Sequence, residues 1–307
     1  MIYYPHSVLI RNNEIYIAKI NGVFKAPYSD DKDFWLEGND MEQVVLIPLK
    51  ISHSSRTLKI GPENKLYLSA GWPKNCNDFF VDDSYPEDKR LGSIFLIDES
   101  GQNPGFVPFA SGLRNPVGFD GHPDTGVMYV SNNGPDHLGY DQPPEYFSKA
   151  IPGSFHGMPW DQFNGKELVE DPCAKTAPPR PTEEASIPTA TFPARNAPLD
   201  ILFIDEKANA SEYYGDAIVA LHGSWATYGG TSRGDPTIKR HPKLVSVKFD
   251  KNGEAEKVID LVSDFQDKNG DRWARPAGLT IGPDGDLHLT SNKETQGLFR
   301  LRKIQSQ

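Results

Sequence analysis

Leu58-Lys59-Ile60-Gly61-Pro62-Glu63-Asn64-Lys65-Leu66-Tyr67-Leu68 reads almost the same as Leu279-Thr280-Ile281-Gly282-Pro283-Asp284-Gly285-Asp286-Leu287-His288-Leu289. In each copy both halves alternate apolar and polar residues, which predicts a pair of strands with one buried face each. The Pro, Asp, Asn and Gly residues between the halves predict a tight turn. Looser copies run from Ser7 to Ala18 around Asn12-Asn13 and from Val117 to Val130 around Pro123-Asp124. A further strand pair is Asp200–Phe203 with Ala217–Leu221, joined by a longer turn.

A third strand is expected after most hairpins, at Gly22–Pro27, Ser93–Asp98, Lys243–Asp250 and Gly297–Arg302. A fourth is expected at Val44–Pro48, Phe106–Phe109 and Glu256–Val262. Three or four antiparallel strands repeated in this way describe the blades of an all-β propeller. Five units are readable, beginning near residues 7, 57, 117, 199 and 277. A β-sandwich has a similar strand count, but near-identical hairpins so far apart favour radial repetition. Residues 1–307 are read as one domain with a long loop insertion at 135–198. Pro172, Pro178, Pro179, Pro181, Pro188 and Pro193 exclude central strands from that insertion, and long loops in compact domains tend to carry function.

Acidic residues outnumber basic ones, 42 to 32, for a net charge of −10. That disfavours a nucleic-acid partner. No apolar run reaches the roughly 20 residues of a membrane span. Cys76 and Cys173 fit neither a disulfide framework nor a zinc pattern; two separate thiols are the leading expectation and a single bridge the alternative. Met1–His6 has no basic flank followed by an apolar core, so no signal peptide is expected in this chain.

The residues suited to chemistry stand just before or after inner strands. They are His53-Ser-Ser-Arg56, Arg114-Asn115-Pro116, Asn132-Asn133-Gly134-Pro135-Asp136, His222-Gly-Ser-Trp225 and Arg272-Trp-Ala-Arg275. In a propeller such positions converge at one end of the central channel. A local ring of Arg suits an anionic ligand, because its planar fork pairs two ways with carboxylates. A Gly-Pro turn can aim carbonyls at a hard cation, and a histidine can act as a general base. Each motif alone reads equally as a satisfied histidine, an inter-blade ion pair or a plain turn. Their recurrence at one point of successive repeats favours function. Ser224 lies outside any Gly-x-Ser-x-Gly elbow, which argues against a serine hydrolase.

On these stretches the sequence resembles the glucose/sorbosone dehydrogenase family, six-bladed propellers that use pyrroloquinoline quinone. Ser52–Gly71, Gly112–Asp141 with Pro143-Pro144-Glu145, Leu221–Trp225 and Arg272–Asn292 carry the likeness. The resemblance implies a quinoprotein that oxidises a sugar or sugar aldehyde and passes electrons to an acceptor. It makes His53 the general base, and Arg114 and Asn115 the pair that holds cofactor and developing charge. It places His222, Trp225, Arg272 and Arg275 around the cofactor, and the carbonyls of Gly134 and Pro135 on calcium. It also implies a secreted or periplasmic location.

The chain departs from the family at several places. Ala226-Thr227 follows Trp225 where Asn-Arg is usual, and Arg233, Lys239 or Arg240 are the candidates to replace that cation. Arg195 stands in place of an expected histidine, and Phe79 lies near the expected second cysteine. Five units are readable where six are expected. These departures leave two other readings in play: a non-catalytic propeller that binds carbohydrate or protein, and a calcium-dependent lactonase built on Asp136 and Asp141.

Overall fold

The two quoted stretches are hairpins. In one, β5 (Leu58–Ile60) and β6 (Leu66–Ala70) pair antiparallel, Leu58 opposite Leu68 and Ile60 opposite Leu66. In the other, β20 (Ala274–Ile281) and β21 (Leu287–Glu294) place Leu279 opposite Leu289 and Ile281 opposite Leu287. Glu63 and Asn64 turn the first hairpin at φ of 58° and 56°. Gly285 takes φ 77° in the second, where only glycine does so without strain.

The computed structural model describes residues 4–37, 40–47, 53–75, 78, 90–99, 105–225 and 236–302. Five antiparallel sheets form the five blades of a β-propeller. The first blade is β1 (Pro5–Arg11), β2 (Glu14–Lys19), β3 (Gly22–Pro27) and β4 (Glu42–Leu46). The second continues from β5 and β6 through β7 (Ser93–Asp98) and β8 (Gly105–Ser111), to which β12 (Ser154–Phe155) adds in parallel. The third is β9 (Pro116–Gly121), β10 (Met128–Asn132), β11 (Glu145–Ala150) and β15 (Ala190–Phe192). A separate hairpin, β13 (Asp161–Phe163) and β14 (Leu168–Glu170), lies between β11 and β15 in the chain. The fourth is β16 (Pro198–Phe203), β17 (Ala217–Leu221), β18 (Lys243–Phe249) and β19 (Ala255–Val262). The fifth has three described strands, β20, β21 and β22 (Gly297–Leu301).

Two expectations are corrected here. The stretch 135–198 is not all loop, because β11 and β15 inside it are the outer strands of the third blade. The prolines named above all fall outside its strands, as expected. The second correction concerns periodicity. β6, β10 and β17 are buried on both faces, not one. A middle strand in a propeller is covered by the blade on either side. On β10, Met128 and Val130 pack toward the second blade, with Tyr67 and Ile94. Tyr129 points the other way, into a cluster with Phe147, Ile201, Phe203 and Val247. Its ring stacks on Phe147 at 4.8 Å. Similar clusters join the first blade to the second through Tyr16, Val23, Leu66 and Leu68, and the fourth to the fifth through Ile218, Leu244, Leu279 and Leu289. Aromatic burial on this scale dominates the energy of a seam.

Cys173 is disulfide-bonded, which corrects the expectation of separate thiols; spacing along a chain says nothing of which sulfurs the fold brings together. Cys76 lies outside the described residues, as do Phe79, Ala226, Thr227 and Arg233. Among the described residues no helix is long and apolar enough to cross a membrane.

Candidate active site

The inner strands β1, β5, β9, β16 and β20 line an axial cavity of about 760 Å³. Ser55, Asn115 and Asn292 are among the polar groups on its wall. Lower on the wall, Lys59 Nζ lies 3.6 Å from Asp200 and donates to the Ile201 carbonyl at 3.3 Å. Asp200 in turn accepts the Leu279 amide at 2.8 Å. This group ties three blades together.

His53 precedes β5, and its Nδ1 meets the Trp72 carbonyl. A carbonyl only accepts, so Nδ1 carries the proton and Nε2 keeps its lone pair. Burial, with Arg114 second, pulls the imidazole down to about 4. It is therefore neutral at pH 7 and has the basic nitrogen unprotonated. Gly71 explains how His53 and Asn115 come together. A Cβ there would lie 2.5 Å from Asn115 Oδ1 and 2.6 Å from His53 Cβ. Ser55 Oγ donates to Asn115 Oδ1 at 3.4 Å.

Arg114 and Asn115 are clamped by the end of β10. Both amides donate to Asn132 Oδ1, at 2.8 and 3.1 Å. Asn133 returns its amide and side-chain N–H to the Asn115 carbonyl. The Arg114 guanidinium donates to the Asn133 carbonyl at 3.1 Å and to Asn75 through its carbonyl and side chain. It also stands 3.8 Å from Asp136. The Asn132-Asn133 doublet is visible in the sequence, whereas Asn75 carries no signal that would single it out.

The Gly134–Gln142 turn is held from within. Glu145 accepts the Gly134 amide at 2.5 Å and the Arg195 amide at 3.0 Å. Burial pushes its carboxyl up to about 7, against the pull of these bonds and of Arg114 and Arg195. Arg195 Nη1 donates to the Pro135 carbonyl at 3.0 Å. Calcium on the Pro135 carbonyl, one of the two expected to hold it, does not fit this arrangement, because the ion would meet a guanidinium already bound there.

His222, Arg272 and Arg275 meet at the tops of β17 and β20. His222 Nδ1 is 2.8 Å from the Pro276 carbonyl, and burial, then Arg275, pulls its ring down to about 4. Arg275 donates to the carbonyls of His222 at 3.0 Å and Gly223 at 2.6 Å. Arg272 donates to Gln266, to the Ser224 carbonyl at 2.6 Å and to the Arg240 carbonyl at 2.9 Å. Trp225 is 55 % exposed.

These contacts join into an arc. Asp136 links Arg114 to Arg195, the Ala194 carbonyl accepts from Arg240, and the Arg240 carbonyl accepts from Arg272. Arg240 also pairs with Asp141 at 2.5 Å and lies over the Tyr140 ring. The structure thus gathers His53, Arg114, Asn115, Gly134 and Pro135 into one stretch of the arc, and His222, Arg272 and Arg275 into another. The guanidinium contacts named here mostly go to main-chain carbonyls rather than into the cavity.

No protein-family model matches the chain. An uncharacterised protein of Borreliella burgdorferi is 26 % identical over 92 % of this chain and 71 % of its own. A calcium structure of the Trichoderma reesei carbohydrate-active enzyme family AA12 superposes with a TM-score of 0.77 at 20 % identity, over 97 % of this chain and 80 % of that one. The holo pyranose dehydrogenase PQQ domain of Coprinopsis cinerea gives 0.72 at 18 % identity, over 97 % and 81 %. The chain is a propeller like that of the soluble sugar dehydrogenases.

Proposed function

We propose that the protein is a quinoprotein oxidoreductase that oxidises a sugar or sugar aldehyde, with His53 as general base. The observation that carries this reading is the placement of His53: Nδ1 is on the Trp72 carbonyl, which leaves Nε2 as the proton acceptor, and the ring stands beside Asn115 on the cavity wall. Pyrroloquinoline quinone bound at this end would supply the oxidising centre that takes hydride from the sugar carbon. Asn115, Ser55 and Asn292, polar groups on the cavity wall, would hold it, and Arg114, Arg272 and Arg275 would contribute charge that favours its carboxylates. His53 takes the proton of the sugar hydroxyl as its C–H bond breaks. An exported location and a separate electron acceptor belong to the same reading.

The carbonyl contacts of Arg272 and Arg275 favour one competitor, a propeller that binds carbohydrate or protein without turnover. The lactonase reading is weaker, because Asp136 and Asp141 are each paired with an arginine. The test is titration with pyrroloquinoline quinone by calorimetry, followed by dye-linked oxidation across an aldose panel. Saturable uptake with turnover on at least one sugar is expected. Sugar binding without quinone uptake selects the non-catalytic propeller.

A further inference from the structure

The turn that calcium does not fit is already filled. The Arg195 guanidinium meets five oxygens: the carbonyls of Pro135, Asp136, Gly139 and Gln142, and the Asp136 carboxylate. Nη1 is 3.0 Å from Pro135, and Nη2 is 2.9 Å from Asp136 and 3.4 Å from Gln142. Converging carbonyls with one carboxylate are the oxygen set that a hard divalent ion takes. A planar guanidinium offers five N–H donors and a fixed positive charge to the same oxygens. The residue is also firmly placed. Its side chain is 9 % exposed. Its backbone takes φ 71°, uncommon for a residue with a Cβ, and its amide is pinned to Glu145 at 3.0 Å.

We infer that Arg195 is a resident cation that fills the divalent-ion seat of the Pro135–Gln142 turn, so that the turn keeps its shape without metal. The charge balance follows. Asp136 sits between Arg195 and Arg114, and Asp141, the other carboxylate of the turn, pairs with Arg240 at its exposed edge, so both already have a cation. A calcium ion would have to expel a buried guanidinium and leave its N–H groups without these acceptors. The inference does not depend on the quinone reading, since it concerns the folded chain alone.

The test is thermal unfolding of the full chain, with and without millimolar calcium, for wild type, Arg195→Lys and Arg195→Met. The wild-type midpoint is expected to be blind to calcium and to chelator. Arg195→Met is expected to fall by several degrees and to recover part of that loss when calcium is added. Arg195→Lys, which keeps a cation, is expected to fall less and to respond less. If Arg195→Met does not fold, the comparison is made by terbium luminescence on wild type and Arg195→Lys, with no signal expected from wild type and a weak one at most from the Lys variant. A wild-type midpoint or terbium signal that rises with the ion, and that Asp136→Asn removes, overturns the inference. So does a folded Arg195→Met that is as stable as Arg195→Lys or is indifferent to calcium.

Discussion

His53 and His222 are the same chemical device in two settings. Each directs Nδ1 at a main-chain carbonyl, Trp72 for one and Pro276 for the other. Each lies beside an arginine, and each is pulled down to about 4, with burial the larger cause. Their surroundings differ. His222 is 8 % exposed, and its own carbonyl is taken by Arg275. His53 is half-buried and shares the space above Gly71 with Asn115, whose side reaches the axial cavity. In both, burial and a neighbouring arginine lower the pKa, while the carbonyl fixes the tautomer and works the other way. What separates the two is the neighbour: His53 stands beside Asn115, which lines the cavity, and His222 stands against Arg275.

Three substitutions sharpen or break that contrast. The largest effect is expected from His53→Asn, which should lower dye-linked turnover by about 10²–10⁴-fold while quinone affinity stays within a few-fold. Equal turnover would reduce His53 to a second His222. Gly71→Ala should come next. Its Cβ must push His53 or Asn115 aside, and a displacement on the order of 1 Å costs about 10²-fold in rate. A crystal structure of the variant with both side chains unmoved would break the link between Gly71 and the site. The smallest is His222→Asn, which keeps an N–H for the Pro276 carbonyl but gives up the buried packing of the ring, and should cost about 0.5–3 kcal/mol of stability. Urea unfolding at pH 7 measures it.

The pH dependence of that stability has a fixed sign. A histidine lowered from 6.5 to about 4 in the folded chain contributes stability above 6.5 that is lost as pH falls toward 4. His156, buried and pulled down to about 4, acts in the same direction. His222→Asn should flatten the loss between pH 6.5 and 4.

Much of this was legible in the sequence because a propeller repeats itself. The hairpin at Leu58–Leu68 recurs at Leu279–Leu289, and the third strands Gly22–Pro27 and Ser93–Asp98 fall at their expected bounds. What alternation hid was the second buried face. Tyr67, Tyr129 and Ser69 read as the open side of a strand until a neighbouring blade covers them. β11 was hidden behind Pro143-Pro144 in a stretch that reads as loop. Motif position put His53, Arg114 and Asn115 together, because loop ends after equivalent strands must converge. It could not tell where a guanidinium points. Arg272, Arg275 and Arg195 read as ligand-binding or substituted residues, yet their hydrogen bonds run to carbonyls that depend on tertiary approach. Asn75, which holds Arg114 from a distant loop, had no pattern to betray it.

The central claim is that His53 receives the sugar's proton from a neutral, low-pKa state. It is tested most directly by the pH dependence of the first-order reduction of quinone-loaded protein by sugar, followed by stopped-flow absorbance. An acid limb displaced below the ordinary histidine value of about 6.5 toward 4, and absent from His53→Asn, is expected. A limb at or above 6.5 that persists in His53→Asn would assign the proton to another group and contradict the account.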